Sequence, residues 1–219
     1  MKKYYNLPHE EARFEVYNGK NTVQMPILIN EGRVPMSVAG LMKRRLDVRN
    51  YDKSVKSSWM DDYFDTGDGI IYHPDGRIKI ILDSQYLREM TSETPRNGGA
   101  LVLGEDVYKA LDGEEFKKGK LGKVNELLSR KDVKAHPVWR VLARDQALLN
   151  DYADYIFAEG KERFHYYPNA MRIFLDPING DTPEMKMWYV GSLKLGSNAL
   201  GGNTLGSDFG RLVGEVAEV

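Results

Sequence analysis

The sequence predicts an α+β fold, with an antiparallel sheet built from N- and C-terminal hairpins and a helical middle. β-prone runs lie near both ends of the chain, and helical periodicity dominates residues 137–160. Strands and helices do not alternate regularly, as they would in a parallel α/β sheet. A chain of 219 residues can bury its own core without cross-links. We therefore expect a single domain over residues 1–219, with residues 91–99 as the place for any subdivision.

The N-terminal region predicts a hairpin followed by another strand. Residues 14–17 alternate between apolar and polar, and Asn18-Gly19 suits the two positive-φ positions of a type I′ turn. A second β-prone run follows at residues 22–23, which completes the hairpin. A third strand is expected at residues 27–29.

The next segments mix helices and strands. Ser37 is expected to cap a helix whose apolar residues recur at helical spacing. A second hairpin is predicted over residues 69–82, with its turn at Pro74-Asp75-Gly76. Further along we expect a short strand at residues 100–103 and short helices at residues 106–111 and 121–128.

The longest helix is predicted at about residues 137–160. It should begin near Pro137, because proline is favoured in a first helical turn, and end near Gly160. Its apolar residues form one stripe, so the helix should be amphipathic. Strands are then expected at residues 171–175, 185–195 and 211–216.

Two short motifs resemble a known enzyme family. Thr66-Gly67-Asp68 and Pro74-Asp75-Gly76-Arg77 resemble elements of the adenylate-forming, acyl-CoA-synthetase-like superfamily. The resemblance implies that Asp68 would hold the ribose hydroxyls of ATP. It covers only about twenty residues, and the family's phosphate loop is missing. We therefore interpret Pro74-Asp75-Gly76 as an ordinary hairpin turn.

Composition excludes several kinds of chemistry. The chain has no cysteine, which excludes disulfides, thiolate metal sites and cysteine nucleophiles. Its four histidines are scattered, and no His-Glu-x-x-His or Gly-x-Ser-x-Gly motif occurs. The N-terminus lacks a secretory apolar stretch, and the apolar runs are too short to cross a membrane. A cytoplasmic protein without membrane contact is expected.

Charge is distributed unevenly, although 31 Lys and Arg balance 32 Asp and Glu. Residues 33–56 hold seven basic residues against two acidic ones, and residues 117–144 hold nine against two. Basic clusters of this kind are typical of proteins that bind phosphate or nucleic acid. The alternative for Arg140 and Arg144 is pairing with acids from elsewhere in the fold. We predict an anionic partner (nucleic acid, a phosphorylated ligand or an acidic protein), bound by a basic face of Lys43, Arg44, Arg45, His136, Arg140 and Arg144.

An alternative function is a small metal-dependent hydrolase or transferase. Four aspartates lie between residues 61 and 68 with no basic residue among them. Carboxylate and imidazole ligands can hold a divalent cation that activates water. In this interpretation Asp65, Asp68 and His73 bind the metal, and Asp61 or Asp62 acts as the base. Aspartate is also common in turns, so the four aspartates do not by themselves require a metal ion. We therefore predict no cofactor, with a divalent metal as the alternative.

Glycine is dense between residues 196 and 210. The lysine and hydroxyl of a phosphate-binding P-loop are missing, so we expect a mobile hairpin loop that is also a candidate binding loop. A second alternative is that the protein is a structural or assembly subunit, although no sequence motif indicates this role. The sequence therefore does not decide between a binding protein, an enzyme and a structural subunit.

Overall fold

The computed structural model describes residues 3–117, 119–121, 125–165, 170–176 and 180–216, with backbone alone at residues 125 and 126. The α-helices within these ranges are α1 (Asn21–Asn30), α2 (Val38–Asp47), α3 (Lys53–Met60), α4 (Gln85–Arg88), α5 (Glu105–Ala110), α6 (Arg130–Ala135), α7 (Pro137–Ala143) and α8 (Gln146–Phe164). The strands are β1 (Phe14–Asn18), β2 (Arg33–Pro35), β3 (Phe64–Tyr72), β4 (Ile78–Ile81), β5 (Arg96–Asn97), β6 (Ala100–Val102), β7 (Glu114–Phe116), β8 (Asn125–Leu128), β9 (Met171–Leu175), β10 (Glu184–Val190), β11 (Ala199–Asn203) and β12 (Arg211–Val216).

The described strands form one mixed sheet, whose main path runs β1-β12-β3-β10-β11-β9-β8. Most neighbours are antiparallel, but β12 lies parallel to β3 and β11 lies parallel to β9. The α+β prediction is confirmed, whereas the prediction of a purely antiparallel sheet is wrong. These parallel pairs join strands that are not consecutive in the chain, and hairpin signals in the sequence report only consecutive strands.

Helices cover both faces of the sheet, and successive residues of the central strands enter two different cores. Trp188 of β10 packs in one core with Trp59 and Trp139. Its neighbour Met187 packs in the other core with Leu212. Strand β3 is buried at every position as a result, which is why it reads as a continuous run rather than an alternating one.

The predicted N-terminal hairpin is wrong beyond its first strand. β1 forms as expected, but residues 21–30 form helix α1, so the strand at residues 27–29 is also wrong. Met25 and Leu28 enter the core while Val23 and Ile27 remain exposed. Tertiary burial of one side of this segment overrides the β propensity of its branched residues.

The predicted long helix is two helices. The start at Pro137 is confirmed, but α7 ends at Ala143, and α8 continues past Gly160 to Phe164. Arg144 separates them in a left-handed conformation with φ of 63°. Asp145 then caps α8 by accepting the N–H of Leu148 at 2.6 Å.

Several other local predictions are confirmed. Ser37 caps α2 by accepting the N–H of Gly40 at 3.0 Å. The hairpin around Pro74 joins β3 to β4 in antiparallel register.

The helix expected at residues 121–128 is wrong over its last four residues, which form strand β8. Residues 122–124 lie outside the described part of the chain. No helix in the described ranges is long and apolar enough to span a membrane.

Candidate functional site

A cavity of about 480 Å³ opens on the sheet where β9, β10 and β11 meet the segment that follows β11. We call it the Tyr189 pocket. Tyr189 and Leu200 alternate with the core residues Trp188 and Ala199, so they lie on the opposite face of the sheet from the tryptophan core. The other lining residues are mostly polar or aromatic: Tyr63, Asp65, Arg172, Gly191, Leu195, Asn198, Gly202, Asn203, Thr204, Ser207 and Phe209.

A break in strand register lies beside this pocket and sets the residues opposite Tyr189. The pairing of β10 with β3 and with β11 shifts between Met187 and Tyr189, and Tyr189 then lies opposite Asp65. Irregularities of this kind bend a strand and redirect its side chains, often beside functional sites. The Tyr189 ring is half-buried at the pocket and meets the ring of Tyr63 edge to face, with centroids 6.4 Å apart.

One buried carboxylate holds the pocket wall. Asp65 accepts the backbone N–H of Arg211 at 2.7 Å, the amide of Asn21 at 3.0 Å and the amide of Asn203. Burial raises the pKa of Asp65 to about 6, although these hydrogen bonds act to lower it. Because Asn203 and Arg211 flank residues 204–210, Asp65 fixes both ends of that segment.

The segment 204–210 separates the Tyr189 pocket from a second cavity. The hydroxyl of Tyr63 donates to the carbonyl oxygen of Phe209 at 2.5 Å, and both residues line both cavities. The second cavity, of about 840 Å³, lies against β1 and includes Val16, so we call it the Val16 pocket. The Phe209 side chain is 80% exposed between the two. Phe209 is therefore an exposed apolar ring on a segment whose two ends are hydrogen-bonded to Asp65.

Arg45, a residue of the predicted basic face, is completely buried below this site. All its guanidinium hydrogens are used, in bonds of 2.9–3.3 Å to the carbonyl oxygens of Trp59, Asp62 and Gly191 and to the hydroxyls of Tyr152 and Ser197. Gly191 lines the Tyr189 pocket, and Asp62 precedes Tyr63 in the chain. Arg45 therefore fixes the backbone on which the pocket is built and does not reach a ligand.

The other predicted anion-binding residues are dispersed. Arg44 is buried in a two-bond ion pair with Glu10, with both distances 2.7 Å. His136 is half-buried and accepts the N–H of Val138 at the start of α7. The exposed residues are Lys43, Arg140 and Arg144.

Arg144 lies between two acids. It pairs with Asp68 at 2.9 Å and with Asp83 at 2.6 Å, which is the pairing considered above as the alternative to anion binding. Burial raises the pKa of Asp68, with Arg144 acting against that rise. The ion pair joins the α7–α8 junction to β3, so Arg144 serves the fold.

The residues proposed as metal ligands do not converge. Asp65 faces α1 and Asp68 faces α2 and α7, because they are three apart in one strand and lie on opposite faces of the sheet. His73 lies beyond the end of β3, within 2.9 Å of Glu105 and 2.8 Å of Asp75. Across the described ranges, no group of three or more His, Asp or Glu residues is arranged to hold a metal ion.

The two residues predicted as bases are occupied by ion pairs. Asp61 pairs with Arg163 at 2.5 Å. Asp62 accepts hydrogen bonds from Lys3 and Tyr5 and pairs with Arg211. Burial acts to raise the pKa of Asp62, but these donors lower it below its usual value, so the carboxylate is a weak base.

Sequence reasoning missed most of the residues that line the Tyr189 pocket. It marked residues 196–210 as a candidate binding loop, and this segment supplies much of the lining. The expected hairpin loop is instead partly strand, since β11 pairs with β9 and β10. Within this segment, Phe209 is a local signal, because it is an aromatic residue among glycine and polar neighbours. Tyr63 and Arg172 reach the pocket only through the fold.

Comparison with known proteins bears on the fold. No protein-family model matches the chain, and no curated protein matches it. A solved structure is similar at a TM-score of 0.68 and 13% identity, over 96% of this chain and 100% of the other. It comes from work on the accommodation of massive sequence variation in Nanoarchaeota by the C-type lectin fold. The chain adopts the C-type lectin fold.

Within this C-type lectin fold, the described part of the chain has two kinds of residue at the site. Asp65 and Arg45 are buried and hydrogen-bonded to the backbone around the Tyr189 pocket. Tyr63, Tyr189 and Phe209 are half-buried or exposed and face open space. The residues that shape the pocket are thus distinct from those that a ligand would touch.

Proposed function

We propose that the protein is a binding protein that recognises its ligand through the Tyr189 pocket and the exposed Phe209 beside it. The observation that carries this proposal is a cavity of about 480 Å³ with aromatic rings at its wall and rim, supported by the buried, hydrogen-bonded Asp65 and Arg45. Cavities of this size with a few polar groups are typical of ligand sites.

The side chains at the pocket favour recognition over chemistry. Tyrosine, asparagine and serine supply rigid contact area and adaptable hydrogen bonds, as they do in antibody binding sites. Tyr63, Tyr189, Asn203 and Ser207 supply them here, with Phe209 as an apolar contact at the rim.

The structural neighbour supports the same interpretation. Its C-type lectin fold is described as accommodating massive sequence variation. A fold can tolerate such variation when its core and its contact residues are separate sets. The division between Asp65 and Arg45 below the pocket and Tyr189 and Phe209 at its surface is consistent with that arrangement.

Ligand screening with matched variants tests the proposal. Panels of peptides, glycans and nucleotides are screened against the whole chain by thermal shift and then by direct titration. Tyr189→Ala or Phe209→Ala should weaken a ligand found this way by at least about tenfold, as for contact residues of an interface. The control is Tyr51→Ala, which removes an exposed ring that does not line the pocket. Ligands that bind both pocket variants as tightly as the parent chain would contradict the proposal.

Binding of an anionic partner is a second candidate, on a smaller surface than the sequence suggested. Lys43 and Arg140 are exposed, and they line two cavities that both include the ion-paired Arg144. The test is retention on a heparin column. Retention of the parent chain that is lost in the double variant Lys43→Gln/Arg140→Gln supports this candidate, because affinity for a polyanion depends on the number of lysine and arginine contacts. Absence of retention at low salt argues against it.

A further inference from the structure

Strand β1 lies at the edge of the sheet, where it pairs with β12 alone among the described strands. The backbone hydrogen bonds to β12 come from odd-numbered positions of this segment. The carbonyl oxygen of Arg13 accepts the N–H of Val216 at 3.1 Å, and the N–H of Gly19 donates to the carbonyl oxygen of Gly210 at 2.9 Å. Antiparallel pairs alternate between bonded and non-bonded positions. The outward-facing backbone groups are therefore those of Phe14, Val16 and Asn18.

An amide side chain already occupies the first of these positions. Asn6 donates through Nδ2 to the carbonyl oxygen of Phe14 at 2.7 Å and accepts the N–H of Phe14 through Oδ1, also at 2.7 Å. This reciprocal pair is the one that a residue of a neighbouring strand would make. In the described chain, no residue forms such a pair with the backbone of Val16 or Asn18. The edge is thus closed at Phe14 and open at the next two positions.

The open edge borders the Val16 pocket, the cavity of about 840 Å³ defined above. Val16 is half-buried beside it, and Tyr5, Tyr63 and Phe209 contribute to its lining. Side chains of an added strand would alternate between this cavity and solvent. The cavity therefore gives an added strand apolar and aromatic contact next to its backbone hydrogen bonds.

We propose that the β1 edge binds an extended polypeptide segment of a partner protein by strand addition, with hydrogen bonds to Val16 and Asn18 and side chains in the Val16 pocket. Paired N–H and C=O groups recur about 6.8 Å apart along such an edge. A peptide in extended conformation repeats its own groups at this spacing, whereas sugars and nucleotides do not. The Asn6 amide indicates the same preference, because it is a peptide-like group in the position of a strand.

Selection of peptides on the whole chain, followed by matched variants, tests the proposal. Displayed peptides of about 12 residues are selected on the immobilised protein and then synthesised. Val16→Pro removes one outward N–H and should weaken binding about tenfold. Val16→Thr keeps that N–H and a branched side chain, so it should bind within about twofold of the parent chain. Thermal unfolding of both variants confirms that each is folded.

Amide hydrogen exchange gives a test that needs no substitution. The N–H groups of Val16 and Asn18 should exchange quickly in the isolated protein and become protected when a selected peptide binds. Glu15 and Tyr17 donate towards β12, so their exchange should change little and serves as the internal control. Protection confined to Tyr189 and its neighbours would assign the peptide to the other pocket and overturn the proposal.

Three further outcomes would overturn it. One is a selection that enriches no peptide, and another is equal affinity for Val16→Pro and Val16→Thr. The third is concentration-dependent dimerisation that Val16→Pro abolishes, since this would make a second copy of the chain the occupant of the edge.

Discussion

The buried carboxylate of Asp65 accepts the backbone N–H of Arg211 at 2.7 Å, and its other oxygen accepts the side-chain amide of Asn203. A single acid thus holds the beginning and the end of segment 204–210. That segment forms one wall of the Tyr189 pocket and carries the exposed Phe209. The shape of the proposed binding surface depends on this one group.

We expect Asp65 to make the protein less stable as pH rises. Its pKa is about 6 when folded, against an ordinary value of 3.8, so the folded protein binds this proton more tightly than the unfolded chain does. Protonated Asp65 contributes its full stabilisation at pH values below 3.8, the pKa in the unfolded chain. This stabilisation is lost as the pH rises through about 6, the pKa in the folded protein. The loss is about 3 kcal/mol.

Urea unfolding of the parent chain and of Asp65→Asn between about pH 4 and pH 7 measures this effect. The free energy of unfolding of the parent should fall relative to the variant as pH rises. Other carboxylates titrate in both proteins, so only the difference between them is informative. A constant difference across this range would contradict the prediction.

Replacement of Arg45 should destabilise the protein strongly. Arg45→Met would leave buried carbonyl and hydroxyl groups without their donor, and each such group costs about 1–3 kcal/mol. We expect a loss of at least about 3 kcal/mol in the free energy of unfolding by urea titration. The control is Lys43→Met on the exposed side of the same helix, which should change stability by less than about 0.5 kcal/mol.

The conformation of Arg144 predicts a difference between two variants. Arg144→Ala and Arg144→Gly both remove the ion pairs with Asp68 and Asp83. Only alanine keeps the cost of a left-handed backbone at φ of 63°, which is about 1 kcal/mol for a residue with a Cβ. Arg144→Gly should therefore unfold at a higher urea concentration than Arg144→Ala. The reverse order would show that this junction relaxes when the ion pairs are lost.

Gly210 should not tolerate a side chain. A Cβ at this position would lie 2.2 Å from the carbonyl oxygen of Gly19 and 2.5 Å from the amide oxygen of Asn21. Gly210→Ala must displace segment 204–210. The free energy of unfolding, measured by thermal unfolding, should fall by about 1–3 kcal/mol. Binding of any ligand found for the proposed site should weaken as well. Gly104→Ser is the control, because its Cβ would enter open space and serine suits the position before a helix. Equal stability of the two variants would contradict this interpretation.

Local interactions account for what could be predicted. The cap at Ser37, the helix start at Pro137 and the turn at Pro74 depend on interactions within about four residues, so their sequence patterns are sufficient to identify them. The same applies to the excluded cysteine chemistry, which depends on composition alone. Helix α1 was missed because its burial against the second core, rather than its own propensity, determines its structure.

The candidate site depends on contacts between distant parts of the chain. Arg45 and Ser197 are 152 positions apart, and Asp65 and Arg211 are 146 apart. The sequence by itself determined the α+β class, the cap at Ser37, the helix start at Pro137, the hairpin turn and the glycine-rich segment as a candidate loop. Only the tertiary structure decided that Arg45 is a buried support, that Asp65 and Asp68 face opposite sides of the sheet, and that β1 has an open edge. Charge and motif are properties of single segments, whereas burial and strand pairing arise only when the whole chain is folded.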